Sequence, residues 1–230
     1  VSNPMYTKFA DQYASVVQNN IYNALLERPS ILALMEVKPQ QKILDLGCGS
    51  GEHAKEIQAR GGIVTCVDLS EEMVELAKAN ATPFHAYAQD LREGLPSEDD
   101  SIYDWVIAPL VIHYLEDLTS LFKEVKRVLK PGGRFLFSTH HPMNDSESSP
   151  SGNYFAIERI TEEWDTIGEP VKVSFYRRSL QDLFGSIFAA GFLVSTVSEG
   201  TPSPAIADIS PETYERLSKT PSFIYISCVS

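Results

Sequence analysis

A mixed α/β fold, with a mostly parallel sheet covered by helices on both faces, is predicted by three observations. Strand-like and helix-like segments alternate through the middle of the chain, as repeated strand–helix–strand units do. The strand-like segments are almost wholly apolar, which is expected where both faces of a sheet are buried. Glycines punctuate the joins, at 47, 49 and 51, at 61 and 62, and at 132 and 133.

Taken in order, residues 42–46 are a short apolar run ending in glycines, the first strand. Residues 51–60 read as a helix, closed by Gly61-Gly62, because glycine tolerates the left-handed turn that ends helices. Residues 63–67 are a second strand. Ser70 is placed as the N-cap of the next helix, with Glu71 and Glu72 in its positive first turn. Residues 84–88 and 105–111 are a third and a fourth strand. Residues 118–129 form an amphipathic helix with Leu118, Leu121, Phe122, Val125, Val128 and Leu129 on one stripe. Pro131-Gly132-Gly133 breaks it, and residues 134–139 are a fifth strand. Residues 140–153, rich in Ser and Pro, read as loop. Residues 154–178 mix aromatics, charges and short strand-like pieces and read as an insertion. A helix over 180–190, strands over 192–198 and 223–229, and a short helix near 212–219 complete the pattern. Ahead of the glycines, residues 6–34 read as helical. Their Tyr6, Phe9, Tyr13 and Tyr22 either line a ligand cleft or pack on the sheet edge.

The 230 residues suit one domain: a helical lid over 1–40, a ligand-binding core over 41–139, an insertion over 140–179 and the rest of the sheet over 180–230. Net charge of -12 repels a phosphate backbone, so no nucleic-acid substrate is expected. The basic groups Lys123/Lys126/Arg127/Lys130 and Arg177-Arg178 are the exceptions, the first at the spacing of a solvated helix face. Cys48, Cys66 and Cys228 give neither a disulfide framework nor a metal-ligand spacing, so no metal is expected and a reducing cytoplasm fits. Val1-Ser2-Asn3-Pro4-Met5-Tyr6 lacks a basic region followed by an apolar stretch, so no secretory leader and no membrane association are expected.

The chemistry centres on Gly47, Gly49 and Gly51. Glycine lets backbone approach a ligand closely, and the helix behind the loop offers free N–H groups. Asp68 ends the second strand about 20 residues on, where an acid binds ribose hydroxyls. The third glycine of a dinucleotide fingerprint is replaced by Glu52, and Asp45 precedes the loop. Carboxylates there repel a pyrophosphate but suit a sulfonium cofactor that carries an ammonium group.

Residues 43–51 resemble motif I of the class I S-adenosylmethionine-dependent methyltransferases. Later segments resemble the same superfamily in order: Val67-Asp68-Leu69-Ser70, Ala88-Gln89-Asp90-Leu91 with Leu95-Pro96, Asp104-Trp105-Val106-Ile107 with His113-Tyr114-Leu115, and Val128 to Arg134. The resemblance spans roughly residues 42–139 and is to bacterial small-molecule methyltransferases. It implies a Rossmann-like seven-stranded sheet whose last strand, over 223–229, runs antiparallel. It implies S-adenosylmethionine as cofactor and S-adenosylhomocysteine as product. Gly47, Cys48, Gly49 and Gly51 then carry the methionine moiety. Asp45 lies near its amino group, Asp68 binds the ribose, and Asp90 accepts from the adenine amino group. Leu91 adds a backbone contact, and Leu69 and Met73 pack on the adenine.

Methyl transfer to a small acceptor is an in-line displacement, so proximity and alignment dominate, and O-methylation calls for a general base more often than N-methylation. His113, His140 and His141 follow strand ends and are the candidate bases, each otherwise a structural histidine. Tyr13, Tyr154, Trp164, Tyr176 and Arg177 are candidate acceptor contacts, with Arg177 or Arg178 suited to a carboxylate. A monomer or homodimer is expected. Three rival readings stand beside this one. A non-catalytic S-adenosylmethionine-binding or regulatory protein would carry the same motifs. An NAD(P)-dependent oxidoreductase would carry a glycine at Glu52. Nucleic-acid amino methylation would want Asn/Asp-Pro-Pro-aromatic where Ala108-Pro109-Leu110-Val111 stands.

Overall fold

The computed structural model describes residues 3–230; Val1 and Ser2, part of the expected N-terminal segment, lie outside the described residues. Among the described residues, nine strands form two sheets: β1 (Lys42–Leu46), β2 (Ile63–Asp68), β3 (His85–Ala88), β4 (Tyr103–Ala108), β5 (Leu129–His140), β6 (Glu158–Trp164), β7 (Val171–Arg177), β8 (Leu193–Ser198) and β9 (Phe223–Val229). The main sheet has the order β3-β2-β1-β4-β5-β9-β8, and β6 and β7 form a separate pair. In the main sheet β9 alone opposes the rest, inserted between β5 and β8 and antiparallel to both. The seven-stranded, mostly parallel sheet with an antiparallel last strand is therefore as predicted.

Helices α3 (Glu52–Ala59) and α4 (Glu71–Ala81) cover one face, together with α2 (Arg28–Ala33). Helices α5 (Leu118–Val128) and α7 (Leu180–Ala189) cover the other. The predicted α5 stripe is buried throughout, and Phe122 meets Phe135 of β5 edge-on at 5.1 Å between centroids. Ser70 caps α4 as expected, its hydroxyl accepting from Met73 N–H at 3.1 Å.

Three local expectations change. Strand β4 ends at Ala108 instead of continuing to Val111. Pro109 has no N–H for a ladder, and Leu110 takes a left-handed φ of 48° while its N–H turns to Ser138 O at 3.1 Å and Ser138 Oγ at 3.0 Å. Pro131-Gly132-Gly133 does not end the fifth strand's reach: β5 runs from Leu129 to His140, and the extra residues bulge where pairing jumps from Tyr103–Leu129 to Trp105–Arg134. The expected loop over 140–153 contains a short helix, α6 (Pro142–Asp145).

The N-terminal part holds α1 (Ala10–Val17) and then a helix over 21–33 that widens at Asn23–Glu27 into a π-turn, with Arg28 N–H bonding to Asn23 O. Pro29 accounts for part of this. Proline in a helix interior cannot bond to the carbonyl four residues back and crowds it. The freed carbonyl, Leu25 O, is taken by Ser203 N–H at 2.9 Å. The β6–β7 hairpin packs on the N-terminal segment through Met5, Val171 and Val173. Asn3 and Ser174 exchange hydrogen bonds in both directions, at 2.9 and 3.2 Å. No helix among the described residues is long and apolar enough to cross a membrane.

Candidate functional site

Loops at the carboxyl ends of β1, β2, β3 and β4 meet the N-terminal segment around a cleft. The cleft lies where the strand order reverses between β1 and β4, the place where open α/β sheets bind ligands.

The glycines of the first loop are all left-handed, with φ of 69°, 51° and 83° at Gly47, Gly49 and Gly51. They do different things. A Cβ on Gly47 would lie 2.5 Å from Val111 Cγ2, so this glycine lets the β4 loop close on the β1 loop. Gly49 faces open space in the cleft. Gly51 is off the cleft wall; its Cβ would lie 3.1 Å from Ala77 Cα, so it serves the contact of α3 with α4.

Asp68 sits beside this loop. Its Oδ2 accepts from Gly49 N–H and its Oδ1 from Ser70 N–H, each at 2.9 Å. Burial raises its pKa, against the pull of these backbone donors. Each oxygen keeps further acceptor capacity, so the anchored carboxylate can take two adjacent hydroxyl groups. Leu69, nearly half exposed, and buried Met73 and Leu91 give the apolar wall beside it. Cys48 lines the cleft from the loop, with its thiol held well above the usual range by Cys66 and by burial. Asp90 also lines the cleft, but it caps the turn at Leu91 and is gripped by Arg92, whose Nε lies 2.9 and 3.0 Å from its two oxygens.

Asp45 lies in β1, fully buried and off the cleft wall, with no hydrogen-bond partner on either carboxylate oxygen. Burial pushes its pKa up to about 7, with His53 pulling it down and Asp68 and Glu27 adding to the rise.

The N-terminal segment supplies residues that the sequence reading did not single out. Glu27, 1% exposed, accepts from Ser138 Oγ at 2.7 Å and pairs with His53 Nε2 at 2.8 Å. Arg28 follows it on the cleft wall. The sequence signal for both was the acid and base between Leu26 and Pro29, charges set inside an apolar helix. Tyr6, Tyr13 and Tyr114 line the cleft together. Tyr6 and Tyr114 share a 2.6 Å hydrogen bond, Tyr6 and Tyr13 meet edge-on, and burial raises all three phenols.

The three candidate histidines lie off the cleft lining. His113 is buried and stacks on His140 with centroids 4.1 Å apart; burial, then His140 and Arg178, depress its pKa well below the usual value. His140 faces Asp145 at 3.4 Å and the rings of Phe175 and Trp164. His141 accepts from Met143 N–H as the cap of α6 and pairs with Glu199 at 3.2 Å. Of the candidate acceptor contacts, Tyr13 is on the cleft. Trp164 packs on Phe175, Tyr154 accepts from Leu180 N–H, and Tyr176 lies on the outer face of β7. Arg177 is 1% exposed and committed to the insertion: it donates to Tyr154 O, Ala156 O, Asn153 O and Ser149 Oγ and pairs with Glu158 at 2.9 Å. Arg178 is likewise spent, on Leu115 O, Glu116 O and Asp182.

Comparison with known proteins agrees with this geometry. A family described as a methyltransferase domain matches residues 44–137, the stretch from β1 through β5 that carries the cleft loops. This stretch is thus similar to a methyltransferase domain, set in a sheet of the class I order. A malonyl-[acyl-carrier protein] O-methyltransferase from Erwinia pyrifoliae is 38% identical over 73% of this chain and 57% of its own length. A Haemophilus influenzae protein is 31% identical over 59% of this chain and 56% of its own length. The chain thus spans a little over half the length of these two relatives. The crystal structure of an S-adenosylmethionine-dependent methyltransferase from Mesorhizobium loti superposes with a TM-score of 0.73 at 25% identity, over 93% of this chain and all of that one.

S-adenosylmethionine, the group such a domain implies, fits the residues present. The cleft offers an anchored diol acceptor in Asp68 and an open glycine at Gly49. An unpartnered carboxylate, Asp45, lies beneath the methyltransferase loop.

Proposed function

We propose that the protein transfers a methyl group from S-adenosylmethionine to a small-molecule acceptor. The observation that carries this reading is the Asp68 carboxylate, fixed by Gly49 and Ser70 N–H groups at the edge of the glycine loop. The cofactor supplies a methyl carbon on a positively charged sulfur. Asp68 accepts the ribose hydroxyls, Leu69, Met73 and Leu91 hold the adenine, and Asp90 shares its carboxylate between Arg92 and the adenine amino group. Asp45 places a carboxyl group, its pKa raised by burial to about 7, beneath the amino-acid end. Tyr6, Tyr13 and Tyr114 wall the acceptor side. Their phenols are held neutral, so they donate hydrogen bonds and exclude water.

An acceptor that brings a free lone pair needs only to be held close and aligned, which supplies a large share of the acceleration. The relative from Erwinia is an O-methyltransferase, which supports testing oxygen acceptors beside amines. The test is calorimetry with S-adenosylmethionine and S-adenosylhomocysteine, followed by transfer of labelled methyl to pooled small metabolites. Binding of both, with label appearing in an acceptor, is the expected result. No binding by either up to low millimolar concentration would overturn the reading. Binding without transfer would leave a non-catalytic binder instead.

A further inference from the structure

Two unsatisfied groups of opposite character flank the glycine loop at the end of the cleft where the N-terminal segment docks. One is Asp45, fully buried with both oxygens unpartnered. The other is Arg28, which lines the cleft. Its Nη2 donates to Val17 O at 2.8 Å and its Nη1 lies 3.8 Å from Glu52, but its buried Nε has no partner. Leaving a buried charged donor or acceptor unmade is costly, and together they call for a ligand that brings an anion and a cation at once.

His53 stands beside them on the first turn of α3 and on the cleft wall. Its Nε2 is tied to Glu27 at 2.8 Å, and its Nδ1 has no partner among the described residues. Glu27 is itself immobilised by Ser138 Oγ at 2.7 Å, and Ser138 is fixed in β5 by the Leu110 N–H. The imidazole is therefore aimed by a chain of bonds that starts in the sheet and passes through the π-turn.

We propose that His53 and Arg28 form a carboxylate-recognising pair for the amino-acid end of the methyl donor, with Glu27 as the positioning residue that aims His53. This rests on the methyl-donor reading above. His53 Nδ1 and Arg28 Nε would hold the carboxylate, and Asp45 would serve the ammonium. Arginine and protonated histidine are both suited to the task, because hydrogen bonds between ionised partners are roughly twice as strong as neutral ones. Burial disfavours the protonated imidazole, but the Glu27 carboxylate with help from Asp45 outweighs it, so the net shift is upward. The other charges facing His53 are Asp45, which acts in the same direction, and Arg28, which opposes it.

Three ligands separate the contributions. S-adenosylhomocysteine carries both charges, its decarboxylated analogue keeps only the amine, and 5′-methylthioadenosine carries neither. By calorimetry the native protein should bind S-adenosylhomocysteine at least about tenfold more tightly than the decarboxylated analogue, the size of one charge-assisted contact. His53→Gln and Arg28→Lys should each cut that ratio about three- to tenfold while leaving the affinity for 5′-methylthioadenosine unchanged. Glu27→Gln should move the ratio in the same direction by less. A ratio unchanged in both His53→Gln and Arg28→Lys overturns the proposal. So does an equal loss for all three ligands, which would mark these residues as supports of the lid; His53→Asn repeats the test if His53→Gln unfolds. Failure of S-adenosylhomocysteine to bind the native protein is a different outcome, which overturns the methyl-donor reading and takes this proposal with it.

Discussion

Replacing Asp68 by Asn keeps the shape of the side chain and removes its charge. The carboxylate accepts from Gly49 N–H and Ser70 N–H, both at 2.9 Å. The amide can offer its one oxygen to only one of them, and its NH2 must then face the other donor. A hydrogen bond to a charged group contributes about 1.5–3 kcal/mol. Burial already raises the pKa of Asp68, so removing the charge returns part of that desolvation cost. The net loss of stability should therefore fall near the low end, about 1–2 kcal/mol. Ligand affinity has no such offset. The variant loses one of two acceptors for the ribose diol, which corresponds to about ten- to a hundredfold weaker binding of S-adenosylhomocysteine. Calorimetry on native protein and Asp68→Asn, each with S-adenosylhomocysteine and its 2′-deoxy analogue, completes a cycle. If Asp68 meets the ribose, variant and deoxy ligand remove the same interaction and their effects do not add. Full additivity, or native affinity in Asp68→Asn, would refute the ribose role.

Other outcomes follow from neighbouring residues. The Asp45 carboxyl titrates near 7 in the folded protein and at about 3.9 when unfolded. Between those values the folded state holds the extra proton, so stability falls as pH rises through that window, by about 4 kcal/mol. Asp45→Asn should flatten this loss in urea unfolding from pH 4 to 8; an unchanged slope would show that Asp45 is not its source. Gly49→Ala meets open space but a left-handed φ of 51°, so it should cost about 1–2 kcal/mol of stability. Unlike Gly132→Ala, which is also left-handed and also meets open space, it should in addition block ligand binding in calorimetry. Arg177→Ala strips the insertion of a buried cation and takes the donor from the carbonyls of Asn153, Tyr154 and Ala156. It should lower stability in urea unfolding by about 2–3 kcal/mol, the size of one or two hydrogen bonds to a charged group, with cofactor affinity unchanged, whereas an acceptor-binding role would raise KM and spare stability.

The parts of the molecule legible in the sequence are those fixed by short spacing. The glycine loop, Asp68 and the Ser70 cap all follow from a few consecutive residues and form at the strand ends as expected, although Gly51 packs α3 on α4 instead of lining the cleft. The α5 stripe was legible because 3.6-residue periodicity needs no knowledge of the partner. What was not legible depends on distant pairings. Glu27 reaches the cleft only because Ser138, on β5, and His53, on α3, receive it. The histidines show the limit from the other side. Their places at or after the ends of β4 and β5 follow from the strand pattern, but ring direction is decided by packing: His113 stacks on His140, and His141 turns to cap α6. Arg177 looked available because nothing in its neighbourhood of sequence reveals the carbonyls of Asn153, Tyr154 and Ala156 that converge on it.

The π-turn at Asn23–Glu27 gives this chain a sensitivity to length rather than to composition. One residue more or less along a helix rotates everything beyond it by about 100°. Deleting a single residue among 23–26 would let the helix wind regularly and would keep every charged and apolar side chain from Glu27 onward. It would also swing that stretch round relative to α1, so that either Glu27 and Arg28 leave the cleft or the preceding tyrosines do. The N-terminal segment is thus set like a counted ratchet, in which one tooth separates an aligned cleft wall from a misaligned one.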